Sequence, residues 1–109
     1  MVSYKVITSP KALSQLKEYI DYIQYILLNE KAAGAVWNDA IETVNRLETV
    51  AGSLRYCDDL ELKELGYRKI DFIRHSYVML YRIENDTVFV EAVYHQLQDY
   101  ENTFLDSIS

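Results

Sequence analysis

His75 and His95 are the only histidines of the chain, and Arg68, Arg74, Arg82 and Asp99 stand among or near them. An imidazole beside a carboxylate can act as general acid or base, and Asp99 follows His95 by four residues. The three guanidiniums could grip a phosphate or a partner's carboxylates by paired hydrogen bonds. Plainer readings stand beside these. A lone histidine at the end of a strand more often packs or hydrogen-bonds than catalyses, and His75, in the turn Arg74-His75-Ser76, is expected to be satisfied by solvent. Period-two alternation puts Arg82 on one face with Val78 and Leu80, where an arginine must lie at an edge or be paired. Arg68 shares a face with Ile70 and Phe72 and must reach outward from the start of its strand. Neither histidine has metal-ligand spacing, and the single Cys57 cannot make an internal disulfide or complete a zinc site with them.

The elements that must position these residues follow from periodicity. Val2, Tyr4 and Val6 alternate with Lys5 as a first strand that stops at Ser9-Pro10, a helix cap followed by a first-turn proline. Leu13, Leu16, Ile20, Ile23 and Leu27 recur at helical steps, and Tyr19, Tyr22, Tyr25 and Ile26 widen the stripe. The stretch NEKAAG from Asn29 breaks that pattern. A second helix places Ala33, Trp37, Ala40, Ile41, Val44 and Leu47 inside, so the two helices form an antiparallel hairpin. Residues 51–65 hold no sustained period and read as loop with at most a short turn. After Gly66 the period becomes two, giving three strands in YRKIDFI, YVMLYRI and VFVEAVYH whose short links require antiparallel pairing. Leu105 and Ile108 belong to a short terminal helix or a fraying tail. The expectation is α+β: an N-terminal strand, a helical hairpin and a three-stranded meander packed on it, in one domain over residues 1–109.

Charge narrows the function. A net charge of −6 disfavours free nucleic-acid binding, which rests on neutralising phosphates. Lys63, Arg68, Lys69 and Arg74 nevertheless cluster within twelve residues, a local basic patch on an acidic body. The phosphate loop, dinucleotide fingerprint, nucleophile elbow and zincin motifs are missing, so no cofactor or metal is expected. The opening MVSYKVITSP does not read as a signal peptide, and the apolar runs fall short of the roughly 20 residues a spanning helix needs. A cytoplasmic location is the default for a chain with one cysteine.

From Tyr4 to Tyr100 the chain resembles the toxins of RelE/ParE-type (type II) toxin–antitoxin systems. The likeness is carried by YKVITSPKALSQLKEYIDYI, WNDAIETVNRLE, LGYRKIDF, YVMLYRIENDTVFVEAVYH and the closing Asp99-Tyr100. It implies a helical hairpin on a small antiparallel sheet, a cognate antitoxin, and either DNA gyrase or the ribosome as target. RelE-like members cut messenger RNA with basic residues on the concave sheet face; ParE-like members poison gyrase and generally lack that set. Aligned through Tyr81, a key arginine position falls on Val78 and one lysine position on Asp71, while the other is still basic at Lys69. Valine cannot stabilise a transferring phosphoryl group and aspartate repels it. With the acidic balance, this favours a ParE-like gyrase inhibitor. The alternatives are a divergent ribosome-dependent endoribonuclease using Arg82, His95 and Tyr100, or a non-catalytic interaction module. The expected functional surface is Arg68, Lys69, Arg74, Arg82, His95, Asp99 and Tyr100, and the expected antitoxin contacts are Tyr19, Tyr22, Tyr25 and Tyr94.

Overall fold

The computed structural model describes residues 3–109, so Val2, placed on the first strand by alternation, lies outside the described residues. Strand β1 is Lys5–Thr8. Ser9 then caps helix α1 (Pro10–Asp21), its Oγ accepting the Ala12 N–H at 3.0 Å, with Pro10 at the first helical position. The helix widens into a π-helical turn at Tyr22–Ile26, closed by the Leu27 N–H donating to the Tyr22 carbonyl. Leu28 takes a left-handed φ of 52° to reverse the chain.

Helix α2 (Glu30–Val50) starts earlier than the apolar period indicates. The stretch NEKAAG is not a link: Asn29 Oδ1 accepts the Ala32 N–H at 3.0 Å, and that cap starts the helix before its apolar stripe begins. The buried side of α2 is Ala33, Val36, Asp39, Ala40, Thr43 and Leu47. Trp37 and Ile41, expected inside, are each nearly half exposed. The small Ala33, Ala40 and Thr43 let the helix backbone approach the sheet, which turns the bulky neighbours onto its flank.

The segment read as loop holds a 3₁₀ turn (Ala51–Ser53) and helix α3 (Leu60–Glu64), too short to show a period. Asp59 caps α3 through the Glu61 and Leu62 amides, and Gly66, at φ 89°, ends it where a side chain would be strained. Strands β2 (Arg68–Asp71), β3 (Tyr77–Glu84) and β4 (Thr87–His95) form the meander, and helix α4 (Tyr100–Ile108) closes the fold.

The sheet order is β1-β4-β3-β2, with β1 parallel to β4 and the other pairs antiparallel. Leu80 pairs with Ala92 and Tyr81 with Val90, leaving Glu91 as an extra residue in β4. This bulge shifts the alternation. Val88, Val90 and Val93 face α1 and α2 with Ile70, Phe72, Met79 and Tyr81, while Ala92 and Tyr94 face the other way. The second sheet face is covered too. Leu62 of α3 and Phe104 of α4 pack there on Tyr67, Val78 and Leu80, with the Tyr67 and Phe104 rings edge-on at 5.0 Å. The hairpin and meander match the expectation; the covered second face was not in it.

Candidate functional site

Lys69 stands on the second face, on the edge strand β2. It leaves β2 on the side of α4, its side chain 4% exposed, with Nζ 2.7 Å from Glu101 Oε2, 3.1 Å from Tyr100 Oη and 3.3 Å from Asp58 Oδ2. Glu101 in turn accepts the Asp59 N–H at 2.7 Å, and the Tyr100 ring stacks on Tyr94. Burial would lower the lysine's pKa, but Glu101 and Tyr100 outweigh it and hold the ammonium well above its ordinary value. An ammonium spent on three acceptors is not free to bind phosphate or give up a proton. Cys57 lies beside the same cluster. Burial first, then the Glu101 charge, push its thiol up to about 12, so it is no nucleophile.

Arg82 is also committed. Its Nε donates to Glu91 at 2.7 Å, a second nitrogen donates to Glu84 at 2.8 Å, and its guanidinium carbon sits 4.5 Å from the centre of the Phe89 ring. The Glu91 bulge is what brings that carboxylate across. Burial first, then Glu91, push the neighbouring Tyr67 hydroxyl up to about 12. Arg68 donates to the Leu54 carbonyl and, at 2.9 Å, to the Tyr56 hydroxyl, its guanidinium carbon 4.0 Å from the centre of that ring. Arg74 pairs with Glu42 at 2.6 Å on the surface.

His95 takes the plainer of its two readings, and His75 departs from its own. His95 and Asp99 do not pair. The His95 Nδ1 accepts the Leu97 N–H at 3.1 Å and its ring stands edge-on to Tyr77 at 5.3 Å, while Asp99 accepts the Asn102 amide at 2.9 Å. An Nδ1 that accepts fixes the proton on Nε2 in the neutral ring. His75, expected to be satisfied by solvent, instead places Nδ1 2.7 Å from the Asp39 carboxylate, which is 1% exposed in the middle of α2. Asp39 also accepts the Ile73 and Arg74 amides at 3.1 and 2.9 Å. Burial would raise its pKa, but the hydrogen bonds from His75 and the two amides hold the carboxyl below its ordinary value. The Asp39 partner is beyond the reach of local sequence reasoning, although an acid on the helix face of Val36 and Thr43, with Ala40 beside it, was a signal that something meets it.

Among the described residues, no cluster of three His, Cys, Asp or Glu side chains could hold a metal ion. Of the expected contact tyrosines, Tyr22 and Tyr25 are more than half exposed on the π-helical turn, where Ile26, Leu27 and Leu28 are exposed with them. Tyr19 packs on Tyr77 at 5.1 Å and donates to Gln98 at 2.6 Å. Tyr94 is buried in the second core and presents no surface. Periodicity missed the groove between α1 and α2, about 190 Å³, where Leu13, Trp37 and Ile41 stand half exposed over Ala40 and Met79.

The arrangement therefore offers apolar surface and internally paired charge. The family model described as the ParE toxin of type II toxin-antitoxin system, parDE, matches residues 6–100. The chain belongs to the ParE toxin family. Among solved structures, this ParE-family chain is similar in fold to one from the chromosomal ParDE TA system of P. aeruginosa, at 18% identity and a TM-score of 0.71. That likeness covers 85% of this chain and 96% of the other. No curated protein matches by sequence. No helix among the described residues of the ParE-family chain is long and apolar enough to cross a membrane.

Proposed function

We propose that the chain is the toxin of a type II toxin–antitoxin module, acting in the cytoplasm by binding and inhibiting DNA gyrase and held inactive by a cognate antitoxin. The observation that carries a binding over a cleaving mechanism is the covered second sheet face. On the resemblance to RelE-like enzymes, that face is where catalytic basic residues would stand. Here Val78 occupies the arginine position and is fully buried beneath α3 and α4, Asp71 occupies one lysine position, and Lys69 is consumed by Glu101, Tyr100 and Asp58. Among the described residues, the sheet cations of that face, Lys69 and Arg82, are already paired with the chain's own carboxylates. The acidic net charge supports the same reading, because docking among ribosomal phosphates gains from positive charge and docking on a protein does not require it.

The α1/α2 groove, with Leu13, Trp37 and Ile41, supports an apolar helical segment of the antitoxin as its occupant, and the exposed Tyr22, Tyr25 and Leu27 extend that surface to the hairpin tip. Two reactions with purified protein test the target. Gyrase supercoiling should fall in the presence of the chain while messenger RNA in a translating extract stays intact. Cleavage of messenger at ribosomal A-site codons, with supercoiling unaffected, would replace this reading with the endoribonuclease. Co-purification with the product of the neighbouring gene tests the antitoxin.

A further inference from the structure

The cations of the chain divide by whether a carboxylate answers them. Lys17, Lys69, Arg74 and Arg82 are each paired with an acid. Arg46, Arg55, Lys63 and Arg68 form no ion pair among the described residues. They come from α2, the connection after the 3₁₀ turn, α3 and β2, yet the fold gathers them at one end of the molecule. Arg46 and Arg55 line a groove of about 400 Å³, and Arg55 and Lys63 line a second of about 420 Å³ together with Tyr56. Arg68 bridges to Tyr56 across the strands with its guanidinium over that ring, and its bonds to the Leu54 carbonyl and the Tyr56 hydroxyl leave N–H donors over. Arg46, Arg55 and Lys63 are exposed. The acids lining the two grooves are Asp71 and Asp58, and Asp58 already faces Lys69.

A chain of net charge −6 has acids enough to neutralise this patch and places them elsewhere. The two grooves meet at Arg55, so the cations follow one another along the surface. That arrangement matches an anion whose charges repeat along its length, as phosphates do, better than it matches a single carboxylate. The acidic remainder of the chain repels such a backbone, and a few exposed cations do not hold free DNA against that repulsion. On an enzyme that has already bound DNA the balance changes. Docking on the protein brings the patch to the phosphates at high effective concentration, and weak contacts then count. We propose that, with the chain docked on gyrase, Arg46, Arg55, Lys63 and Arg68 contact the phosphate backbone of the DNA that gyrase holds. The proposal rests on the gyrase reading above and adds to it a contact with nucleic acid that reads charge and no base sequence.

The test uses purified gyrase as the probe, alone and with a DNA duplex bound, against the wild-type chain and the Arg46→Gln/Arg55→Gln/Lys63→Gln variant. All three side chains are exposed, so the free proteins should melt together. The wild type should bind the gyrase–DNA complex at least about tenfold more tightly than gyrase alone. The variant should match the wild type on gyrase alone and lose that gain. The gain should shrink as salt rises, with a log–log slope reduced in the variant by about 0.9 for each phosphate contact removed. A gain that the variant keeps, or that the wild type never shows, would overturn the proposal while leaving the gyrase reading intact. An equal loss by the variant on gyrase with and without DNA would overturn it in favour of an acidic protein surface. If the wild type bound gyrase in neither form, the gyrase reading would fall, and the proposal with it.

Discussion

Lys69 and Glu101 meet 2.7 Å apart beneath the first turn of α4, joining an inner residue of β2 to a helix that begins thirty-one positions later. Both side chains are largely withdrawn from water, so the pair fixes where the helix sits more than it adds stability. Removing one partner strands the other. Glu101→Gln should destabilise the chain by about 3 kcal/mol, because Asp58 alone is left to face the ammonium. Lys69→Met, which removes the charge and keeps the volume, should cost less, because Asp58 is mostly exposed and Glu101 keeps the Asp59 N–H. Thermal melting of the two variants checks the order, and faster reaction of Cys57 with a thiol reagent in Glu101→Gln would report the loosened helix.

His75 should matter to stability although it lies in a turn. His75→Ala leaves one acceptor site of buried Asp39 unmet and should cost about 1–2 kcal/mol in chemical denaturation. Asp39→Ala should cost more, since the Ile73 and Arg74 amides lose their partner as well. A cost for His75→Ala below about 0.5 kcal/mol would mean that solvent satisfies Asp39 after all.

Asp39 also sets an acid limit. Its folded pKa lies below the ordinary 3.8, so the unfolded chain binds the proton first. The stability it contributes is complete above the ordinary value and is lost as pH falls through the folded one. Between about pH 5 and pH 3, the melting temperature of the wild type should therefore fall more steeply than that of Asp39→Asn. Parallel curves would assign the acid sensitivity to other carboxyls.

Trp37→Asp on the rim of the α1/α2 groove should keep the fold and lose neutralisation. The indole is nearly half exposed, so melting should move little, while the neighbouring-gene product should bind at least about tenfold more weakly. Growth inhibition that antitoxin co-expression no longer relieves would be the cellular counterpart. Undiminished relief would remove the groove from the antitoxin interface.

Arg82→Ala should fold. The arginine is about a third exposed and its Glu91 partner about a quarter, so loss of the pairs and of the Phe89 stack should cost about 1 kcal/mol. Growth inhibition measured on that folded protein decides whether Arg82 reaches the target. A marked loss of inhibition would place it on the functional surface, and full inhibition would confine it to its carboxylates.

The hairpin and meander were legible because their signals are periodic: Leu13 to Ile23 at helical steps, Tyr77 to Tyr94 at alternate positions. What sequence could not show are meetings between distant single residues. Nothing near Lys69 announces Glu101, and nothing near His75 announces Asp39, because each pair is made by packing and not by spacing. The same limit hid the cover on the second sheet face. Phe104 is one buried aromatic in a nine-residue helix, too little for a pattern. Helical spacing with Ala33, Ala40 and Val44 points Trp37 inward, whereas the small Ala33, Ala40 and Thr43 determine how α2 lies against the sheet.

The pairing of β1 with β4 has a consequence for the order of synthesis. Lys5–Thr8 finds its ladder only at Thr87–Val90, so β1 leaves the ribosome long before the strand it pairs with. Until then α1 and α2 are present without the sheet they cover, and Leu16, Val36 and Leu47 face water. A nascent chain in that state carries more apolar helix surface than the finished molecule and is open to capture during translation. An antitoxin that recognises the hairpin would thus have a claim on the chain before its sheet, and with it the complete toxin, exists.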